Sequence, residues 1–205
     1  MPKEKISLML FCLWFCLFQA GCGGGISNPI AKVVKIEGEV KIKQTKEATF
    51  EKARENLEIF PNGAVKTGDS SSAEVEIHKK GSIKIKSDAI FEFSENMESV
   101  LQKSGVAIYK IEKDGKGFKA KTPQGVTCVL GTIFGHSVGS DSLELWVKEG
   151  SVQFVSTGGK EFLVKEGQKL ILGAENKNPL PQEAGVGELE SFFADSNELL
   201  NLNGR

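Results

Sequence analysis

The stretch Phe118–Phe134, FKAKTPQGVTCVLGTIF, decides how the chain folds. Phe118-Lys119-Ala120-Lys121 alternates apolar with charged residues, the period of a strand with one face in the core and one in water. Thr122-Pro123-Gln124-Gly125 interrupts it. Pro123 has a fixed φ and no N–H, so it must stand at a strand end, an edge or a turn. Alternation resumes through Val126, Cys128 and Leu130 and breaks at Gly131-Thr132 before Ile133-Phe134. Gly125 and Gly131 permit backbone that a side chain would forbid. The pattern predicts two buried strands joined by a forced corner, with Val126, Cys128 and Leu130 facing inward.

The same period runs outward in both directions. It recurs in Val34, Ile36, Val40 and Ile42; in Ala73, Val75 and Ile77; in Ile83 and Ile85; in Phe91 and Phe93; in Val106 and Ile108; in Leu143, Leu145 and Val147; and in Val152 and Phe154. Turn residues bound each run, as at Lys79-Lys80-Gly81, Asp114-Gly115-Lys116-Gly117 and Gly139-Ser140-Asp141. Gly followed by alternating apolar residues recurs irregularly at Gly38, Gly81 and Gly150. Short strands this closely spaced predict an all-β domain, a roll or solenoid-like sandwich, over residues 32–173. Lysines alternating through Ile83–Lys86 and Phe118–Lys121 predict a solvated outer face, with an anionic glycan as a weaker alternative use. Glu47–Glu58 breaks the period and reads as a loop with at most a turn or two of helix.

Composition changes after Gly173. Residues 174–187 contain Pro179 and Pro181 and read as a linker. In residues 188–205, Leu189, Phe192, Phe193, Ser196, Leu199 and Leu200 share one face of an amphipathic helix. That helix either docks on the domain or binds a partner. Its acidic residues argue against an anionic membrane surface. Trp146, opposite Leu145 and Val147 in alternation, is a candidate partner contact, and equally a candidate for packing beneath this helix.

The first 21 residues are a targeting signal: Lys3 and Lys5, then the apolar run Ile6–Phe18, too short for a comfortable membrane span. Gln19-Ala20-Gly21-Cys22 resembles the bacterial lipobox, though Gln19 stands where Leu is usual. The resemblance implies a mature chain starting at an acylated Cys22, tethered through residues 22–31. Ordinary secretory cleavage and an uncleaved anchor are the alternatives, and all three place the folded part outside the cytoplasm. Gly23, in place of the Asp of inner-membrane retention, favours the outer membrane. Cleavage removes Cys12 and Cys16 and acylation would take Cys22, leaving Cys128 as the one thiol, which excludes an intramolecular disulfide and makes it a small core hydrophobe.

The 26 basic and 27 acidic residues nearly cancel, and only Arg54 and Arg205 are arginines, which argues against nucleic acid. The histidines, His78 and His136, are not spaced for a metal, and His78 reads as a turn residue. Thr132, His136 and Ser137 lack an elbow motif or a placed acid, so no catalytic constellation emerges. Asp69-Ser70-Ser71-Ser72 and Gly139-Ser140-Asp141-Ser142 offer too few carboxylates for calcium and suit turns instead. The expectation is a protein that is not an enzyme and carries no cofactor or metal.

Three elements resemble the FecR protein family, in the family's order. They are Gly63–Asp69 (GAVKTGD), Thr122-Pro123-Gln124-Gly125 with Gly131-Thr132-Ile133-Phe134, and Val147–Val152 (VKEGSV). The residues carrying the resemblance are Gly68, Asp69, Thr122, Pro123, Gly125, Gly131, Thr132, Phe134, Glu149 and Gly150, read as structural. Many members carry Arg before the Gly-Thr, where this chain has Leu130, so no role of that Arg transfers. The resemblance implies an all-β unit made for protein contacts in the envelope, its partner unnamed. In the FecR regulators a cytoplasmic anti-sigma segment and a membrane helix precede this domain. Neither is read here, so the expectation is not a complete anti-sigma regulator. A lipoprotein binding peptidoglycan or another glycan through Trp146 is the alternative.

Overall fold

The computed structural model describes residues 28–95, 98–173, 176 and 178–194. The predicted targeting signal, Cys22 and the helix prediction beyond residue 194 lie outside them. In chain order the strands are β1 (Ala31–Glu37), β2 (Val40–Lys43), β3 (Glu51–Lys52), β4 (Glu58–Ile59), β5 (Ala64–Thr67), β6 (Ser72–Ile77), β7 (Gly81–Ile85), β8 (Ile90–Phe93), β9 (Ser99–Ile111), β10 (Phe118–Thr122), β11 (Gly125–Val129), β12 (Thr132–Val138), β13 (Leu143–Glu149), β14 (Ser151–Ser156), β15 (Glu161–Lys165), β16 (Gln168–Leu172) and β17 (Gln182–Glu183). Among the described residues one helix, α1 (Val186–Phe193), follows.

Strand register sorts these into two layers. The first runs β4-β1-β6-β7-β9-β12-β13-β16-β17 and is antiparallel throughout. The second runs β3-β2-β5-β8-β9-β10-β11-β14-β15, with β9 and β10 its one parallel pair. From β5 onward the chain lays strands down in sequence order along both layers. It fills them in turn: β10 and β11 in the second, β12 and β13 in the first, β14 and β15 in the second. The result is the rolled all-β sandwich that the alternation predicts.

β9 belongs to both layers. Its first half pairs with β8 and β10, and its second half with β7 and β12. The change falls at Gly105, whose φ is +86° and where a Cβ would lie 2.5 Å from Ala89. Beside it the interior is aromatic: Tyr109 stacks on Phe134 at 4.5 Å between centroids and meets Phe91 of the other layer at 6.2 Å. Val33, Val75, Ile83, Leu145 and Leu170 of the first layer share one buried cluster with Ile42, Val65, Ala120, Phe154 and Val164 of the second.

Several inward assignments are corrected. In β1 a bulge between Val33 and Lys35 turns Val33 inward and leaves Val34 half-buried. In β9 the core takes Ala107, Tyr109 and Ile111, while Ile108 packs on the opposite face. In β11 Thr127 and Val129 face the core; Val126 and Cys128 are half-exposed and Leu130 is 65% exposed. The lysine face of β7 is not solvated throughout, because Lys84 is buried and lies 3.4 Å from the buried Glu74 carboxylate. Glu47–Glu58 forms no helix and instead carries β3 and the start of β4. Within the predicted linker, Gln182–Glu183 adds to the edge of β16.

The helix docks on the outer face of the first layer. Phe193 is buried with Ile108 and Trp146, and Leu189 and Phe192 pack against them. Gly135 of β12 makes room, since a Cβ there would lie 2.2 Å from the Phe192 ring. Glu188 ties down the helix start, accepting from the Gly185 N–H at 3.0 Å and from Lys169 Nζ at 2.7 Å. A Phe192→Ala, Phe193→Ala double variant is expected to lift the helix and cost about 3 kcal/mol or more. In a chain beginning at residue 23, Trp146 is the one tryptophan. Its fluorescence should therefore red-shift while the strand signal in circular dichroism persists. Unchanged emission would show that the helix does not shield it.

Candidate interaction surface

The hairpin that opens the decisive stretch is closed by Pro123 and Gln124, with Thr122 opposite Gly125. Thr122 Oγ1 accepts the Gln124 N–H at 3.3 Å and donates to the Gly125 carbonyl at 3.3 Å. The Gln124 side-chain N–H donates to the Gly139 carbonyl at 3.2 Å, and the Gln124 backbone carbonyl accepts from the Thr157 N–H at 2.9 Å. Gly125 has no room for a side chain: a Cβ would stand 2.3 Å from the Val155 carbonyl oxygen. The corner therefore locks three loops together at one end of the sandwich.

The other family-like residues also lie at turns and in the core. Gly131, at φ +143°, starts the turn into β12, Thr132 is buried, and Phe134 is the ring stacked on Tyr109. Glu149 ends β13 on the surface, and Gly150, at φ +84°, sits against Thr132. Gly68 and Asp69 make the turn between β5 and β6. The Asp69 carbonyl accepts from Ser71 Oγ, which in turn accepts from the Glu39 N–H at 2.8 Å.

Trp146 is 7% exposed, stacked on Phe192 at 5.2 Å, with Lys169 Nζ 4.7 Å above its ring and its indole N–H on Glu144. Of its two readings, the structure shows the packed one.

His136 is fully buried between the layers. Its Nε2 lies 2.9 Å from Thr127 Oγ1, Tyr109 and Phe134 present ring edges to it, and Nδ1 has no partner. Burial pulls its pKa down to about 3, so the ring is neutral. Nearby, Tyr109 Oη donates to Gln102 at 2.7 Å, and Gln102 donates to the Gly105 carbonyl at 2.8 Å. These groups tie the layers together where β9 crosses. No acid reaches the imidazole in these contacts, and no substrate could without opening the core. His78 is at the turn after β6, on the Pro29 carbonyl. Among the described residues no three His, Cys, Asp or Glu side chains gather as a metal site, and no helix is long and apolar enough to cross a membrane.

The outer face of the second layer is accessible. There Val126, Cys128 and Leu130 adjoin Val155 and Leu163, the last 56% exposed. Lys121 stands opposite Val126 and Lys119 opposite Cys128. Further along the same face Lys41 is paired in register with both Lys52 and Lys66, with Glu39 3.0 Å from Lys41 as their nearby acid. Like charges placed directly across strands are unfavourable without a counter-charge. The face thus offers an apolar strip bordered by lysines.

The sequence model of the FecR protein family matches residues 63–153. That match begins just before β5 and ends within β14, at the centre of both layers. Among solved structures, two crystal structures described as a putative anti-sigma factor from Parabacteroides distasonis ATCC 8503 share the fold. Each has a TM-score of 0.56 and 14% identity and covers 63% of this chain. This chain spans just under two thirds of the solved ones, 64% and 63%. A cell surface anchoring domain aligns at a TM-score of 0.31, with 24% identity over 34% of this chain and 91% of its own. No curated protein matches the sequence.

Proposed function

We propose that this protein is a non-catalytic interaction module of the bacterial envelope, held at a membrane outside the cytoplasm by a lipid on Cys22. Its open face on the second layer receives a protein partner. The observation that carries the reading is how the FecR region uses its residues. The turn, corner and core positions of that region support the fold, and the imidazole within it is sealed. The apolar strip at Val126, Cys128 and Leu130, beside Lys119 and Lys121 and continued by Val155, is what it offers outside. Such a strip suits a partner with an apolar patch and flanking acids. The rival glycan reading relied on Trp146, which the helix covers.

In cells, a photo-crosslinking residue in place of Leu130 should capture a discrete envelope protein, whereas one at Glu190 on the exposed side of the helix should not. The Cys22→Ala chain should leave the membrane fraction. Equal capture from both positions would remove the proposed face. Continued membrane residence of the Cys22→Ala chain would remove the lipid anchor.

A further inference from the structure

We infer that the outer edge of β15 is a self-association site, where two copies of this chain join in an antiparallel register centred on Leu163. Among the described residues β15 ends the second layer and pairs only with β14. The ladder fixes which backbone groups are left over. Ser156 N–H donates to the Lys160 carbonyl, and Glu166 N–H to the Gly150 carbonyl, each at 2.9 Å. Antiparallel bonding alternates residue by residue, so residues 160, 162, 164 and 166 spend their backbone groups on β14. Glu161, Leu163 and Lys165 direct theirs to the open side. Gln168 caps the Lys165 N–H at 3.1 Å. The remaining groups form a short unpaired edge of the kind to which another strand adds.

The sequence of the edge selects the occupant. Charges at both ends of a strand would ordinarily discourage pairing. Here the centre is the exposed Leu163, and the order is Glu161-Phe162-Leu163-Val164-Lys165. Turned antiparallel against itself, Leu163 meets Leu163 of the second copy, and Glu161 meets the second copy's Lys165 on both sides of the two-fold. All three positions direct their backbone groups to the open side, so the hydrogen-bond parity matches once Gln168 gives up the Lys165 N–H to the second copy's Glu161 carbonyl. All three side chains lie on the exposed face while Phe162 and Val164 stay in the core. The patch is therefore self-complementary, as an isologous interface requires. The second layer would continue from one copy into the next.

The test uses the chain from residue 23 onward. Sedimentation should show a concentration-dependent monomer–dimer equilibrium. Glu161→Lys or Lys165→Glu alone sets like charges opposite one another and should weaken the dimer about tenfold or more. The double variant E161K/K165E recreates the pairs in reverse and should restore it. Independently of the charge variants, Leu163→Cys with Cys128→Ser should yield a disulfide-linked dimer on mild oxidation, and Leu130→Cys in the same background should not. Monomer at all concentrations, single swaps without effect, or equal crosslinking from both cysteines would each overturn the inference, and the first would leave the edge to another protein's strand.

Discussion

Replacing Gly105 with alanine is expected to destabilise the protein by about 2–5 kcal/mol, a large part of the stability of an ordinary domain. Two costs combine. At φ +86° an L-residue pays roughly 1–2 kcal/mol of backbone strain. The new Cβ would also lie 2.5 Å from both the Cα and the Cβ of Ala89, which is itself buried, so backbone must move and roughly 1–3 kcal/mol of overpacking follows. Gly115 separates the two terms, since its φ is +77° and a Cβ there meets nothing within 4 Å. Gly115→Ala should cost only about 1–2 kcal/mol. Urea denaturation should show the larger loss at Gly105 as a lower midpoint with an unchanged slope. Equal losses at the two glycines would mean that β9 does not switch layers through a close approach to Ala89.

The switch at Gly105 illustrates what the residues disclose and what they withhold. Period-two alternation announces strands, turn chemistry announces their ends, and both are local properties. Which side of a strand faces in depends on its neighbours. Where one face is charged, as with Phe118 and Ala120 against Lys119 and Lys121, the inward side is unambiguous. Where both faces are apolar the pattern is silent: Ile108 and Tyr109 are both buried, one under the helix and one in the core. For β11 the information was present in the hairpin. A two-residue loop sets Phe118 across from Val129 and Ala120 across from Thr127, and facing residues share a side. Phe118 inside therefore requires Val129 and Thr127 inside, with Val126 and Cys128 out. Thr127 is the less apolar choice, and it is accommodated because its hydroxyl meets His136. His136 was legible as well, since it continues the inward alternation of Phe134 toward Val138. The open face of the second layer carried no motif. It is assembled from β11, β14 and β15, and only the register places their exposed apolar residues together.

His136 makes the stability of the whole sandwich depend on pH above the range where carboxylates act. In the unfolded chain its pKa is about 6.5. In the folded protein burial holds it at about 3. A charged imidazole needs two acceptors, yet only Nε2 has a partner, and Nδ1 faces no acceptor. The folded pKa is the lower one, so the stabilisation is fully present above pH 6.5 and is lost as pH falls toward 3. At pH 5 the loss is about 2 kcal/mol by linkage. The carboxylates of Glu37, Glu39, Asp114 and Glu188 are held below their ordinary range, chiefly by hydrogen bonds from lysines. Their contribution disappears at lower pH, which leaves the interval from 7 to 5 to histidine. His136→Gln keeps a polar group near Thr127 and does not titrate. Its stability should be lower at pH 7 but nearly flat down to pH 5, so that the two proteins converge as the solution is acidified. Parallel curves over that interval would show that His136 takes up its proton as readily in the folded protein as in the unfolded chain, and the sealed core that places function on the outer face would be wrong.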